Sequence, residues 1–103
     1  MSITKAEIDI EFKRAIDQAE ELEELSCKLC NISNVKFDQA LALLTKSWKG
    51  QNAGSYISNT RNLKNRLYGS AEILKDTAEM IRKTAQRIYS AEMAALLVIE
   101  NRL

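Results

Sequence analysis

The stretch that decides the fold is Ser47-Trp48-Lys49-Gly50-Gln51-Asn52-Ala53-Gly54-Ser55. It contains two glycines, an asparagine and two serines, whereas the rest of the 103-residue chain has one further glycine and no proline. Glycine favours the left-handed backbone that closes a helix, and serine caps the start of a following one. The stretch therefore predicts one turn, over about residues 47–54, between two long helices.

Upstream of this turn, apolar side chains recur at steps of three and four residues, the spacing of a helical stripe. Its members are Ile8, Phe12, Ala15, Ile16, Ala19, Leu22, Leu25, Leu29 and Ile32. The stripe is interrupted at residues 31–34, where two asparagines and a serine lower helix propensity. It resumes with Phe37, Leu41 and Leu44. We expect one helix over about residues 6–46, bent near residues 31–34.

Downstream of the turn, two sets of residues repeat every seven positions. The larger side chains are Leu67, Leu74, Ile81 and Ile88, and the smaller ones are Ala71, Ala78 and Ala85. A seam of large and small residues is typical of closely packed helices, because alanine lets two backbones approach. The pattern predicts a second helix over about residues 55–97.

Charge is divided between the two halves of the chain, with −3 on residues 1–46 and +4 on residues 47–103. An antiparallel fold about residue 52 places Phe12 beside Met93, and the acidic group 17–24 opposite the basic group 82–87. Exposed ion pairs contribute little energy, but they favour one register over slipped ones. The alternative is that both charge groups are solvated helix faces.

Two helices share only one mutual interface, so apolar surface remains uncovered, and such surface on a small protein usually marks a partner interface. We therefore predict a single all-α domain over residues 1–103, an antiparallel hairpin that pairs with a second hairpin into a four-helix bundle. The predicted partner-interface residues are Leu67, Leu74, Ile81, Ile88, Phe37, Leu41 and Leu44.

The sequence contains no motif that is typical of an enzyme. It has no histidine, no Gly-rich phosphate loop and no nucleophile elbow, and its carboxylates lack metal-ligand spacing. We predict no catalytic, cofactor-binding or metal-binding residues, and hence no enzyme. Net charge is +1, which gives no overall basic excess for binding phosphates.

Cys27 and Cys30 form a Cys-x-x-Cys pair. A structural zinc site needs four ligands, and a thioredoxin-like pair sits where a strand meets a helix, which nothing before Cys27 suggests. We expect both side chains on or near the buried stripe, where they act as small apolar groups. Intermolecular zinc binding or redox chemistry is the alternative.

Membrane insertion and a cleaved leader are not expected either. The N-terminal residues lack an apolar run behind a basic end, so they do not read as a signal peptide. The longest apolar run, Met93–Ile99, is far shorter than the ~20 residues that span a bilayer.

With Trp48-Lys49-Gly50 at the midpoint of about 100 residues, flanked by two long helices, the chain resembles the WXG (ESAT-like) family of type VII secretion proteins. The resemblance covers essentially the whole chain, and its specific part is Trp48 and Gly50. Family members commonly carry a Tyr-x-x-x-Asp/Glu export signal near the end of the second helix. Here Tyr89 and Glu92 form a degenerate match, one residue short, and Tyr68 to Glu72 is interpreted as coincidence.

The resemblance implies a protein exported by, or serving, a bacterial type VII secretion system. It would be cytoplasmic before export and then secreted or surface-associated. The implied partners are itself or a related hairpin, the helical N-terminal domain of a larger secreted toxin, and the secretion ATPase; no cofactor, nucleic acid or membrane insertion is implied. The alternative is a cytosolic adaptor or nucleic-acid-associated protein, suggested by Arg61, Lys64 and Arg66 with Tyr56 and Tyr68 nearby.

Overall fold

A computed structural model describes residues 4–47 and 50–102, and every regular element within these ranges is a helix. Helix α1 spans Lys5–Asn31, a single π-helical turn follows at Ile32–Lys36, α2 spans Phe37–Ser47, and α3 spans Gln51–Arg102. The prediction of an all-α fold with two long helical arms packed against each other is confirmed. The four-helix bundle stays a prediction.

The first arm starts with a reciprocal cap. The Glu7 backbone N–H donates to the Thr4 hydroxyl oxygen at 3.2 Å, and the Thr4 N–H donates to a Glu7 carboxylate oxygen at 3.4 Å. These bonds form a capping box, which satisfies two amides that have no partner within the helix. The cap explains why α1 begins at Lys5.

The chain reverses at Gly50, whose φ of +123° is the one positive φ within the described residues. The Gly54 N–H donates to the Gly50 carbonyl at 3.3 Å, so helical bonding starts directly after the reversal. Because α3 begins at Gln51, the expected turn over residues 47–54 was too long. The expected helix start near residue 55 was four residues too late. The first amides of a helix need no intrahelical partner, so a first turn tolerates poor helix formers such as Asn52 and Gly54.

The far end of α3 also differs from the expected bounds. The helix continues to Arg102 rather than ending near residue 97. Methionine, alanine and leucine, which dominate residues 93–97, are strong helix formers, and no glycine or proline follows to stop the helix.

The chain divides into two compact units: a terminal unit of Met1–Leu22 with Asp76–Leu103, and a turn unit of Glu23–Lys75. In the turn unit, the Ser26 hydroxyl donates to the Ala71 carbonyl at 2.7 Å and the Ser33 hydroxyl donates to the Lys64 carbonyl at 3.1 Å. As one partner advances along the chain the other retreats, so the two arms are antiparallel within this unit. Ser26, Ser33 and Ala71 are all buried.

In the terminal unit, the core is made by Ile8 and Ala19 of α1 with Ala78 and Ala85 of α3. The Phe12 ring lies 4.8 Å from the Tyr89 ring, centroid to centroid. The expected neighbour of Phe12 was Met93, four residues and therefore about one helical turn further along. This difference follows from the earlier start of α3, which moves the point of reversal from residue 52 towards Gly50.

The π turn lies where the sequence pattern is interrupted. The Phe37 N–H donates to the Ile32 carbonyl, a bond between residues five apart instead of four. The inward positions include Ser26 before this turn and Ser33 within it, and their seven-residue repeat would continue to residue 40. Ala40 is exposed, whereas Leu41 is 8% exposed. The extra residue of the π turn therefore shifts the inward face by one position, and the first arm stays helical from Lys5 to Ser47.

Candidate functional site

Of the Trp-x-Gly residues, Trp48 and Lys49 lie outside the described residues, and Gly50 is described. A Cβ added at Gly50 would meet no atom within 4 Å. Space therefore does not require glycine at this position. The requirement comes from the backbone, because a φ of +123° is strained for any residue with a side chain.

The turn unit contains five of the predicted interface residues, and they differ in exposure. Phe37, Leu44, Leu67 and Leu74 are half-buried. Leu41 is buried within its own unit, so it has little surface left for a partner. Since Ala71 faces the first arm, the leucines three and four residues away lie at the edge of that contact, where part of each side chain stays in solvent.

The terminal unit contains the other two predicted interface residues. Ile81 is half-buried and Ile88 is 51% exposed. Both line an open, mainly apolar groove on the flank of α3. The remaining lining residues are Ala15, Thr77, Met80, Thr84 and Ala85. Met80 is 68% exposed, so the groove is bordered by apolar surface that its own unit leaves uncovered.

The predicted export-signal residues, Tyr89 and Glu92, face α1 within the terminal unit. They line a small cavity with Ile8, Glu11 and Phe12. The Tyr89 and Phe12 rings pack at a tilt of 45°. Both Tyr89 and Glu92 are half-buried, so part of each is engaged by the protein's own helix.

Asp9 is a further member of this site that the sequence did not single out. The Tyr89 hydroxyl donates a hydrogen bond to the Asp9 carboxylate, and this bond, with the negative charge of Asp9, raises the pKa of Tyr89 above its usual value of 10.0. The negative charge favours the neutral phenol over the phenolate. The only sequence signal for this contact was the antiparallel register, and the predicted register was one helical turn out of place.

Both cysteines were expected on or near the buried stripe, and only Cys30 lies near it. Cys27 is exposed and Cys30 is half-buried, and both are free thiols. They line a cleft of about 210 Å³ in the turn unit, together with Glu23, Ser26, Glu72 and Lys75. The inward position here belongs to Ser26, which precedes Cys27 and turns it outward. Glu72 comes from the Tyr68 to Glu72 match, and Tyr68 is 45% exposed.

In the short basic and aromatic stretch of α3, one of the three cations forms an ion pair. The Lys64 ammonium donates to an Asp38 carboxylate oxygen at 2.6 Å, which joins α3 to α2. The neighbouring Tyr56 is 58% exposed. One of three cations is thus partly neutralised, which weakens this stretch as a phosphate-binding surface.

Sequence reasoning also missed the two serines that bond across the arms. Ser26 and Ser33 lie seven residues apart and fall within the apolar stripe, which was the available signal. A small hydroxyl on such a stripe can reach a facing backbone carbonyl where alanine keeps the helices close. Ala71, whose carbonyl accepts the bond from Ser26, is such an alanine.

Within residues 4–47 and 50–102, no three acidic, cysteine or histidine side chains come together in a group that could hold a metal ion. None of the helices in the described ranges is long and apolar enough to cross a bilayer. No protein-family model, curated protein or solved structure matches the chain.

Proposed function

We propose that this chain is a WXG-type protein of a bacterial type VII secretion system, acting as a dimeric helical substrate or as a targeting partner for a larger secreted toxin. The observation that carries the proposal is the reversal at Gly50. Its positive φ lies two residues after Trp48, between two helical arms of 43 residues (Lys5 to Ser47) and 52 residues (Gln51 to Arg102).

The uncovered apolar surface supports a role in binding another helical protein. Ile88 and Met80 are more than half exposed, and both lie on the groove along the flank of α3. A second hairpin laid on this groove would remove apolar area from water at about 25 cal/mol per Å². An amphipathic helix seated in an apolar groove is a common mode of recognition.

The predicted export-signal residues favour a role as targeting partner of a toxin over a role as a substrate that carries its own signal. Tyr89 and Glu92 have the wrong spacing and are half-buried against α1. A receptor would have to compete with Phe12 and Asp9 for the Tyr89 side chain. A toxin bound through the groove would supply the missing signal in its own sequence.

Export itself is the decisive test. The tagged chain is expressed in a bacterium with an intact type VII system and in a matched strain that lacks the secretion ATPase, alone and with the helical domain encoded by a neighbouring gene. We expect the chain in the culture medium only when the ATPase is present. Trp48→Ala should reduce export, while Gly69→Ala, on the exposed surface of α3, should not.

Two outcomes would contradict the proposal. One is equal release with and without the ATPase, which would indicate lysis or another route. The other is retention in the cell in every combination of strain and partner, which would instead indicate a cytosolic adaptor.

A further inference from the structure

The cleft that contains Cys27 and Cys30 has chemistry that a role in export does not use. The two cysteines are three residues apart on α1, so their Cα atoms lie about 5 Å apart for ideal helix geometry. That separation is within the range found for disulfides. Their Cβ atoms are about 5–6 Å apart in a regular helix, which exceeds the disulfide value by about 1–2 Å. A bond between them thus requires a small local deformation of α1.

The structure supplies a place for that deformation. Helix α1 ends at Asn31, one residue after Cys30, and the π turn begins at Ile32. A π turn already departs from the regular bonding pattern, so the last turn of α1 can tighten without disturbing a long uniform helix.

Hydrogen bonds hold this segment on both sides. Ser26, next to Cys27, bonds to the Ala71 carbonyl, and Ser33, three residues after Cys30, bonds to the Lys64 carbonyl. These contacts keep the cysteine-bearing turn against α3. They leave Cys27 exposed while Cys30 is half-buried beside it.

We propose that Cys27 and Cys30 form a redox-responsive site that closes to a reversible intrahelical disulfide by exchange with a small-molecule disulfide. The exposed Cys27 thiolate attacks one sulfur of the oxidant, forming a mixed disulfide and releasing one thiol. The Cys30 thiolate then attacks the Cys27 sulfur, forming the Cys27–Cys30 bond and releasing the second thiol. The protein dithiol is oxidised by two electrons, and the small disulfide is reduced to two thiols.

The helix geometry makes this bond reversible. A disulfide that departs from preferred geometry is more easily reduced than a relaxed one. Such strained bonds are the labile ones, in contrast to the structural bridges of secreted proteins. The site therefore fits a sensor of the surrounding thiol–disulfide balance.

The test treats the reduced full-length chain with excess oxidised glutathione, blocks the remaining thiols by alkylation, and measures intact and peptide masses. We expect loss of both free thiols, a mass lower by two hydrogens, and no change in chain size on a non-reducing gel. Excess reduced glutathione should restore both thiols. Persistent glutathione adducts, disulfide-linked dimers, or two unreacted thiols would each overturn the proposal.

Two matched variants test the order of attack. Cys30→Ser should stop at a stable glutathione adduct on Cys27, and Cys27→Ser should react several-fold more slowly because its remaining thiol is half-buried. Equal rates in the two variants would refute the assigned roles. Helical content is checked by circular dichroism, and the wild-type mass measurement stays decisive if either variant fails to fold.

Discussion

Glycine has opposite effects at two positions in this chain. Gly50 has a φ of +123°, whereas Gly69 is exposed within α3, where an added Cβ would meet no atom within 4 Å. We expect Gly50→Ala to lower the free energy of unfolding by about 1–3 kcal/mol, because alanine is strained at such a φ. Gly69→Ala should raise it by about 0.5–1 kcal/mol, because glycine weakens a helix interior.

Urea denaturation of both variants followed by circular dichroism measures these changes. Each substitution adds the same methyl group, so opposite signs isolate the effect of the backbone conformation. Equal effects at the two positions would mean that the reversal at Gly50 does not depend on its positive φ.

Tyr89 should show its contact with Asp9 in a pH titration. The neighbouring carboxylate raises the pKa of Tyr89 in the folded chain above 10.0, so folding favours the protonated phenol. The resulting stability is fully present below pH 10 and is lost as the pH rises through the folded-state pKa. Ultraviolet titration of the phenolates should show that Tyr89 titrates above pH 10.0, and Asp9→Asn should move its pKa down towards 10.0. An unchanged titration curve in Asp9→Asn would exclude the contact.

At the scale of the helices, the π turn compensates for one extra residue in the first arm. Deleting Asn34, which is exposed in this turn, should let the arm continue as a regular α-helix with Ser33 and Leu41 both still inward. We expect the free energy of unfolding to change by less than about 1 kcal/mol, because no buried contact is lost.

Deleting Gln18, an exposed residue in the regular part of α1, is the matched control. The deletion rotates the segment of α1 before residue 18 by 100° relative to the segment after it. Either Ile8 or the positions after Ala19 are then turned out of the core. We expect a loss of about 3 kcal/mol or more, as for the removal of large core side chains. Similar losses in both deletions, measured by urea denaturation, would show that the π turn is not a compensating insertion.

These helices show how far the sequence predicts the fold. Periodicity identified both arms, because apolar spacing reports directly on which face is buried. The interruption predicted at residues 31–34 overlaps the π turn at Ile32–Lys36. The start of α3 was misplaced because helix propensity is a weak guide in a first turn. Because the start was placed four residues too late, the predicted pairing of α1 with α3 was also shifted. Asp9 was therefore not recognised as a neighbour of Tyr89.

At the scale of the whole molecule, the groove beside Ile88 presents apolar surface that a second helical chain can cover. We expect the wild-type chain to form a defined complex, either with itself or with a helical protein encoded by a neighbouring gene. Light scattering measures the mass of this complex. Ile88→Glu should reduce the mass to that of the free chain, because a buried unpaired carboxylate costs several kcal/mol. Ile88 is 51% exposed in the terminal unit, so the helical content should survive the change.

Ile73→Glu is the matched control for this measurement. Ile73 is 66% exposed and lies two residues after the buried Ala71, about 200° around α3 from the helix contact. The same substitution there should leave the complex intact. Dissociation by both variants, or by neither, would exclude the groove as the binding surface.

The spacing of the serine bonds has a consequence for how the chain folds. Ser26 and Ser33 are seven residues apart, and so are the carbonyls they reach, at Ala71 and Lys64. If one arm slid past the other by seven residues, each hydroxyl would meet another helix carbonyl, and the polar bonding would be nearly unchanged. These two bonds alone therefore do not distinguish between alignments that differ by seven residues. The short reversal at Gly50 is what selects one of them, because it leaves no spare chain for the arms to slide.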